Sequence, residues 1–248
     1  MATELIVEIG KQKFYEGKNK PVLLGNITDE KTLSILRDLE NFPHAFVLGC
    51  LMDRQIPAEK AWIIPIKIFE VTGKNKIEEL SKISLKEYAG IFNKYTLHRF
   101  NDTMAKVFYL GVQDISKKYQ NNASKIWANN PSSGLVVRRF LEFHGCGPKI
   151  STMAVNILAR GFYIPLSDYK AIDISVDIQI KKVMGRMGYV SLNASNEEII
   201  KKARMLNPEF PGIIDGTCWR IGRDYCHNQS PDCINCIVNK SCKKIGIN

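Results

Sequence analysis

The chain has 248 residues, 45% of them hydrophobic and 24% charged, the make-up of a globular protein with room for one large domain or two small ones. No apolar run approaches the roughly 20 residues that cross a bilayer, and residues 1–14 mix acids with apolar residues and lack a small-residue cleavage pattern. A membrane partner and a secretory leader are therefore not expected, and the protein is read as intracellular (cytoplasm or nucleoid). Lys and Arg number 35 against 25 acids, for a formal charge of +10 and a pI near 9.2. That excess favours polyanionic partners without specifying any chemistry.

In chain order, residues 1–27 hold two β-prone pieces, Leu5-Ile6-Val7 and Val22-Leu23-Leu24, which suggest a short strand pair or a partly ordered arm. From Thr28 the pattern turns helical, with a cap-like residue followed by acids in the first turn. Pro43 opens a long apolar stretch, His44 to Ala61, that reads as buried on most sides. The rest is helices of moderate length joined by short polar turns, with no repeat and no low-complexity tract. The expected fold class is mostly α, with a possible short N-terminal β element.

Two helical stripes flank a glycine turn. Val136, Val137, Phe140 and Leu141 lie upstream of Gly145-Cys146-Gly147-Pro148-Lys149, and Ile150, Met153, Ala154, Ile157 and Leu158 recur downstream at helical spacing. Two glycines beside a fresh helix N-terminus can turn backbone N–H groups toward a phosphate, though a plain helix–turn–helix corner needs glycine too. Further on, Asp177 stands where an N-cap would, before an apolar stripe of Ile178, Ile180 and Val183. Asp168 and Asp173 precede it. Near the C-terminus Cys226, Cys233, Cys236 and Cys242 crowd one loop, and without a secretory leader a metal or iron–sulfur site is preferred to disulfides. Four cysteines also suit zinc, but zinc sites usually show two close pairs and this loop has one. Cys218 is left over and reads as a buried thiol near Trp219.

The segment from Gly145 to Lys149 resembles the hairpin of the endonuclease III family of helix-hairpin-helix DNA glycosylases, and the spacing of the four cysteines is similar to that family's iron–sulfur loop. The resemblance implies a two-domain helical fold: an extension at 1–27, a helical barrel at 46–160 ending in the hairpin, and a second domain combining 28–45 with 161–248. It makes Lys149 the nucleophile, Asp177 the catalytic carboxylate, and Cys226, Cys233, Cys236 and Cys242 the ligands of a [4Fe–4S] cluster. Leu51 to Ile56 resembles the family segment whose glutamine fills the gap left by an extruded base, which gives Gln55 that role. Gly145, Gly147, Lys181 and Lys182 are the remaining expected DNA contacts.

The stretch from Lys149 to Asp177 is longer than the family's usual one. Asp168 stands nearer the usual place, but no helix pattern follows it as one follows Asp177, so an inserted loop at about 164–174 is expected. The implied activity is base excision with strand cleavage by β-elimination on double-stranded DNA carrying a damaged or mispaired base, by a monomer. A monofunctional glycosylase for mispaired or alkylated bases, or a non-catalytic Fe–S DNA-binding protein, are the alternatives. Oxidised pyrimidines are the family's default lesion, with 8-oxoguanine, uracil and thymine mispairs left open. An attacking lysine must be neutral, and Arg138, Arg139, Lys181 and Lys182 are the cations expected to favour that form.

Overall fold

The computed structural model describes residues 2–19 and 27–247, and among them there are helices and turns but no strand. In chain order the helices are α1 (Ala2–Glu16), α2 (Glu30–Arg37), α3 (Pro43–Met52), α4 (Ala58–Thr72), α5 (Ile77–Leu80) and α6 (Leu85–Tyr95). There follow α7 (Asn101–Tyr119), α8 (Ser133–Leu141), α9 (Pro148–Arg160), α10 (Ile178–Arg186), α11 (Asn196–Leu206) and α12 (Asp215–Asp224). The mostly α expectation holds, but the N-terminal strand does not: Leu5-Ile6-Val7 lies inside α1, and Val22-Leu23-Leu24 falls outside the described residues. Ile6 and Gly10, one helical turn apart, are both buried, so this segment hides a helical stripe rather than alternate residues. No described helix is long and apolar enough to cross a membrane.

The chain divides into two compact units, one of Pro21–Pro131 with Arg138–Ala154, the other of Met1–Lys20, Ser132–Val137 and Val155–Asn248. The sequence division joins residues 28–45 to the C-terminal part. In the structure α2 instead packs on α3 and α4 and buries Leu33 and Leu36, because its apolar stripe is matched by theirs. Its N-cap is Asp29, one residue after the expected Thr28, with the carboxylate accepting from Thr32 N–H at 2.7 Å.

In the first unit α3 is the central helix, and all ten of its residues are buried. A helix apolar on every side belongs inside a core, as the run from His44 suggested. Two glycines let its neighbours approach. A Cβ on Gly49 of α3 would lie 2.6 Å from the Trp62 ring of α4, and one on Gly111 of α7 would lie 2.8 Å from Leu51. Phe46, Trp62 and Trp127 fill one side, and Tyr88, Phe92 and Phe108 another. α8 buries Val136 and Phe140 as expected, whereas Leu141 ends up 42% exposed at the last turn.

In the second unit α10 packs against α12, and α1 packs against α12 and the 3₁₀ turn Pro211–Ile214. The segment expected as an insertion is fastened by rings: Tyr169 stacks on Phe210 at 4.9 Å, and Phe14 of α1 meets Tyr163, Tyr169 and Phe210. Tyr163 Oη also donates to the Phe14 carbonyl at 2.7 Å. Backbone bonds continue the seam, since Gly212 N–H donates to Ile172 O at 2.7 Å and Asn156 Nδ2 to Gly212 O at 3.0 Å. The N-terminal extension and the loop before Asp177 thus share one aromatic cluster, which gives both a packing role.

Candidate active site and cysteine loop

The hairpin lies between α8 and α9. Cys146 N–H donates to Phe143 O at 3.0 Å, and Gly145 adopts φ +82°, where a side chain is strained and a Cβ would also press on Val107 at 3.0 Å. A Cβ on Gly147 would meet nothing within 4 Å, so that glycine borders open space. Pro148 occupies the first turn of α9, where its missing N–H costs nothing. The N–H groups of Lys149 and Ile150 belong to that same turn, which by helix geometry has no intrahelical acceptor for them. An outward, glycine-bordered helix N-terminus is the anion-binding form that the spacing suggested.

Lys149 projects from this turn with its side chain 44% exposed, and its Nζ lies 3.6 Å from Asp53 Oδ2, a carboxylate only 11% exposed. Two of the expected cations are engaged elsewhere: Arg138 pairs with Glu142 at 3.8 Å, and Arg139 donates to the carbonyls of Lys125 and Ile126. The charged partner of Lys149 is therefore an anion. Asp53 caps the C-terminal end of α3, and the chain turns sharply there, Asp53 N–H bonding Cys50 O at 3.2 Å and Arg54 N–H bonding Met52 O at 2.8 Å. Gln55 follows, exposed and in the left-handed region at φ +57°.

His98 holds this turn from beneath. Its Nδ1 accepts from Phe100 N–H at 3.1 Å, which leaves Nε2 as the donor facing Met52 O at 3.3 Å. Burial is the main reason its pKa is lowered, consistent with that neutral ring. The thiols nearby are inert by the same physics. Burial pushes Cys146 up to about 12 and raises Cys50 well above the ordinary thiol value, with Cys146 and Asp53 adding to the effect on Cys50. Asp53 and His98 carry no role in the sequence reading. The signal for Asp53 was a carboxylate two residues before Gln55, at the end of a wholly apolar helix.

Three aspartates of the second unit, those between α9 and α10, separate cleanly. Asp168 accepts from Ser133 Oγ at 2.5 Å and from Lys170 N–H at 3.0 Å, and so closes a turn. Asp173 holds Arg204 through two bonds of 2.7 Å. Asp177 is the N-cap of α10, with Oδ1 accepting from Ile180 N–H at 2.9 Å. Ile178 beside it is 68% exposed, so the expected apolar stripe narrows to Ile180 and Val183. Lys181 is exposed and Lys182 half-buried; burial first, with Arg186, lowers the Lys182 pKa, while Cys226 and Asp177 oppose it.

Cys226, Cys233, Cys236 and Cys242 line one cavity with Arg186, Tyr225 and Asn239. Arg186 Nη1 lies 3.4 Å from Cys226 Sγ and also bonds His227 O at 2.6 Å, while Lys244 N–H points at Cys242 Sγ at 3.4 Å. Burial raises the Cys236 and Cys242 thiols, and both feel the charge of Cys226 and Cys233. Cys218 is fully buried elsewhere, raised by burial and by Asp215 and Asp177, as a leftover core thiol should be. Among the described residues no group of three or more His, Cys, Asp or Glu side chains converges as it would on a single metal ion.

No protein-family model and no curated protein matches the sequence. Solved structures do match over nearly the whole chain. A trapped endonuclease III–DNA covalent intermediate superposes with a TM-score of 0.62 at 15% identity, covering 97% of this chain and 93% of that one. A thermostable thymine-DNA glycosylase gives 0.64 at 15% identity and 98% coverage of both chains. The fold is that of the DNA glycosylases. The 8-oxoguanine DNA glycosylase of Methanocaldococcus jannaschii also matches, at 0.54 and 13% identity over 90% of this chain and 94% of that one. These neighbours share a fold under different names, two of them for different bases, so the likeness carries architecture and leaves substrate to the residues.

Proposed function

We propose that this protein is a DNA glycosylase with an associated abasic-site lyase activity, acting on duplex DNA that holds a damaged or mispaired base. The observation that carries the reading is Lys149: a half-exposed amine on the first turn of α9, directly after a glycine hairpin that borders open space. Such a turn can seat a backbone phosphate while the amine reaches the sugar. Gln55, on its exposed left-handed turn, would fill the stack after the base is extruded, at an unstacking cost of a few kcal/mol. Lys181 and Lys182 would add phosphate contacts, with Gly145 and Gly147 shaping the approach. As a repair enzyme for the cell's own DNA it would act inside the cell, as a monomer.

In this mechanism neutral Lys149 Nζ bonds to C1′ as the glycosidic C1′–N bond breaks and its electron pair leaves with the base. Loss of the amine proton and opening of the sugar ring give a Schiff base. Removal of a C2′ proton then expels the 3′ phosphate. Asp177 would balance positive charge developing on the sugar. Its capping bond leaves that role open, since a carboxylate has several acceptor sites.

We further propose that Cys226, Cys233, Cys236 and Cys242 hold a [4Fe–4S] cluster. The support is their common cavity, an arginine and a backbone N–H aimed at two of the sulfurs, and the buried Oδ1 of Asn239 on the same wall, which has no hydrogen-bond partner among the described residues. The cluster would supply cross-linking of the loop, and Lys240, Lys243 and Lys244 would present positive charge around it.

Incubation with duplexes that each hold one lesion or an abasic site, in the presence of borohydride, tests the reading. A covalent adduct is expected, and the lesions that trap name the substrate class. Release of free base without an adduct would make the enzyme monofunctional, and neither outcome across the panel would leave only DNA binding.

A further inference from the structure

Lys149 cannot attack while it carries a proton, and an ordinary lysine, with a pKa near 10.4, is neutral in only about one molecule in 2,500 at pH 7. Some group must take that proton at the moment of reaction. Resting on the lyase reading above, we infer that Asp53 is the proton acceptor for Lys149. Four features of the turn after α3 support this. Oδ2 of Asp53 lies 3.6 Å from Nζ. The carboxylate is largely covered, whereas the amine is half open to solvent. The turn is fixed by the 50–53 and 52–54 backbone bonds and by neutral His98 beneath Met52, so the carboxylate is held in place. Finally, the turn continues directly into Gln55.

Other titratable and charged groups stand at this turn. They are Cys50 on α3 and Cys146 in the hairpin, both uncharged because burial raises their thiols, together with His98 and the neighbouring Arg54. In the free protein, water stabilises an ammonium–carboxylate pair. A duplex seated on the hairpin removes that water, and desolvation disfavours both charges at once, raising the affinity of the carboxylate for a proton and lowering that of the amine. One proton then moves from Nζ to Oδ2, leaving a neutral amine and a neutral acid, with nothing oxidised or reduced. The amine's lone pair forms the bond to C1′, the base departs with the glycosidic pair, and the carboxyl proton returns to solvent.

The test is the single-turnover rate of borohydride trapping on an abasic duplex between pH 6 and pH 9, for the native chain, Asp53→Asn and Asp53→Glu. General-base help is typically worth 10²–10⁴-fold, so Asp53→Asn should slow trapping at pH 7 by about 100-fold while DNA affinity stays within about threefold. Its rate should then climb about tenfold per pH unit, because only amine deprotonated by solvent reacts, whereas the native rate levels off. Asp53→Glu should restore the plateau even at a lower maximum, which a purely structural role for Asp53 would not produce. An Asp53→Asn rate equal to or above the native rate with an unchanged profile overturns the inference, and so does an Asp53→Glu profile that climbs like that of Asp53→Asn. The glutamate variant keeps the charge and decides the matter if the asparagine variant is poorly folded. Absence of any adduct from the native chain is a different failure, since it removes the lyase reading itself and the inference with it.

Discussion

The hairpin and the cysteine loop both carry reactive side chains, but they assemble them differently. The loop gathers Cys226, Cys233, Cys236 and Cys242 from one short stretch of chain, so their grouping follows almost from covalent connectivity. The hairpin takes Lys149 from the start of α9 and its anion, Asp53, from the end of α3, two places far apart in sequence that only the packing of a buried helix joins. A local site announces itself by spacing, whereas a site built by packing shows only one member at a time.

The sharpest way to break the hairpin half of that contrast is Lys149→Gln, which should lower borohydride trapping and strand cleavage by at least about 1000-fold while DNA affinity stays within about threefold. Retained strand cleavage would remove Lys149 from its role. For the loop, protein purified without oxygen should be yellow-brown, absorb broadly near 400 nm and contain iron and sulfide. Cys236→Ser should lose that colour and much of its thermal stability, and a colourless zinc protein would contradict the cluster.

Between these extremes lies the pair of aspartates. Asp177→Asn should slow base excision by about 100-fold. Asp168→Asn should change excision by less than about threefold and lower stability by about 1–2 kcal/mol, since it loosens the Ser133 and Lys170 bonds. The opposite ranking would move the catalytic carboxylate into the loop at 164–174. Gly145→Ala combines a left-handed φ with a 3.0 Å approach to Val107 and should cost roughly 1–3 kcal/mol, lowering Tm by about 2–4 °C per kcal/mol.

The smallest expected effect concerns His98. Its folded pKa is lowered, so below the unfolded value near 6.5 the unfolded chain takes up a proton that the folded chain resists, and stability falls as pH drops. His44, buried and lowered for the same reason, adds to the loss. Tm should therefore decline from pH 7 toward pH 5, and less steeply in His98→Asn, as differential scanning calorimetry would show. An identical slope in that variant would mean His98 does not hold its turn as a neutral ring.

What was legible in the sequence follows the same line. The helical class, the hairpin, the capping Asp177 and the first half of the run from His44 are set by short-range periodicity and turn chemistry, each visible in a few adjacent residues; the expected burial on to Ala61 stops at Met52, where the chain turns outward through Arg54 and Gln55. Leu5 to Val7 misled because three β-prone residues say nothing about the partner surface, here the turn at Pro211–Ile214, that makes a helix the better way to bury Ile6 and Gly10. Asp53 lies inside the Leu51–Ile56 motif, yet nothing local in the sequence ties it to Lys149. Of the cations expected beside Lys149, Arg139 is drawn off by the carbonyls of Lys125 and Ile126, acceptors that no spacing rule identifies.

The most direct test is to trap the native protein on an abasic duplex with borohydride, digest the adduct, and locate the modified residue by tandem mass spectrometry. The sugar remnant is expected on Lys149 alone. A remnant on another lysine, or on the N-terminal amine, would contradict the assignment of the hairpin lysine as nucleophile.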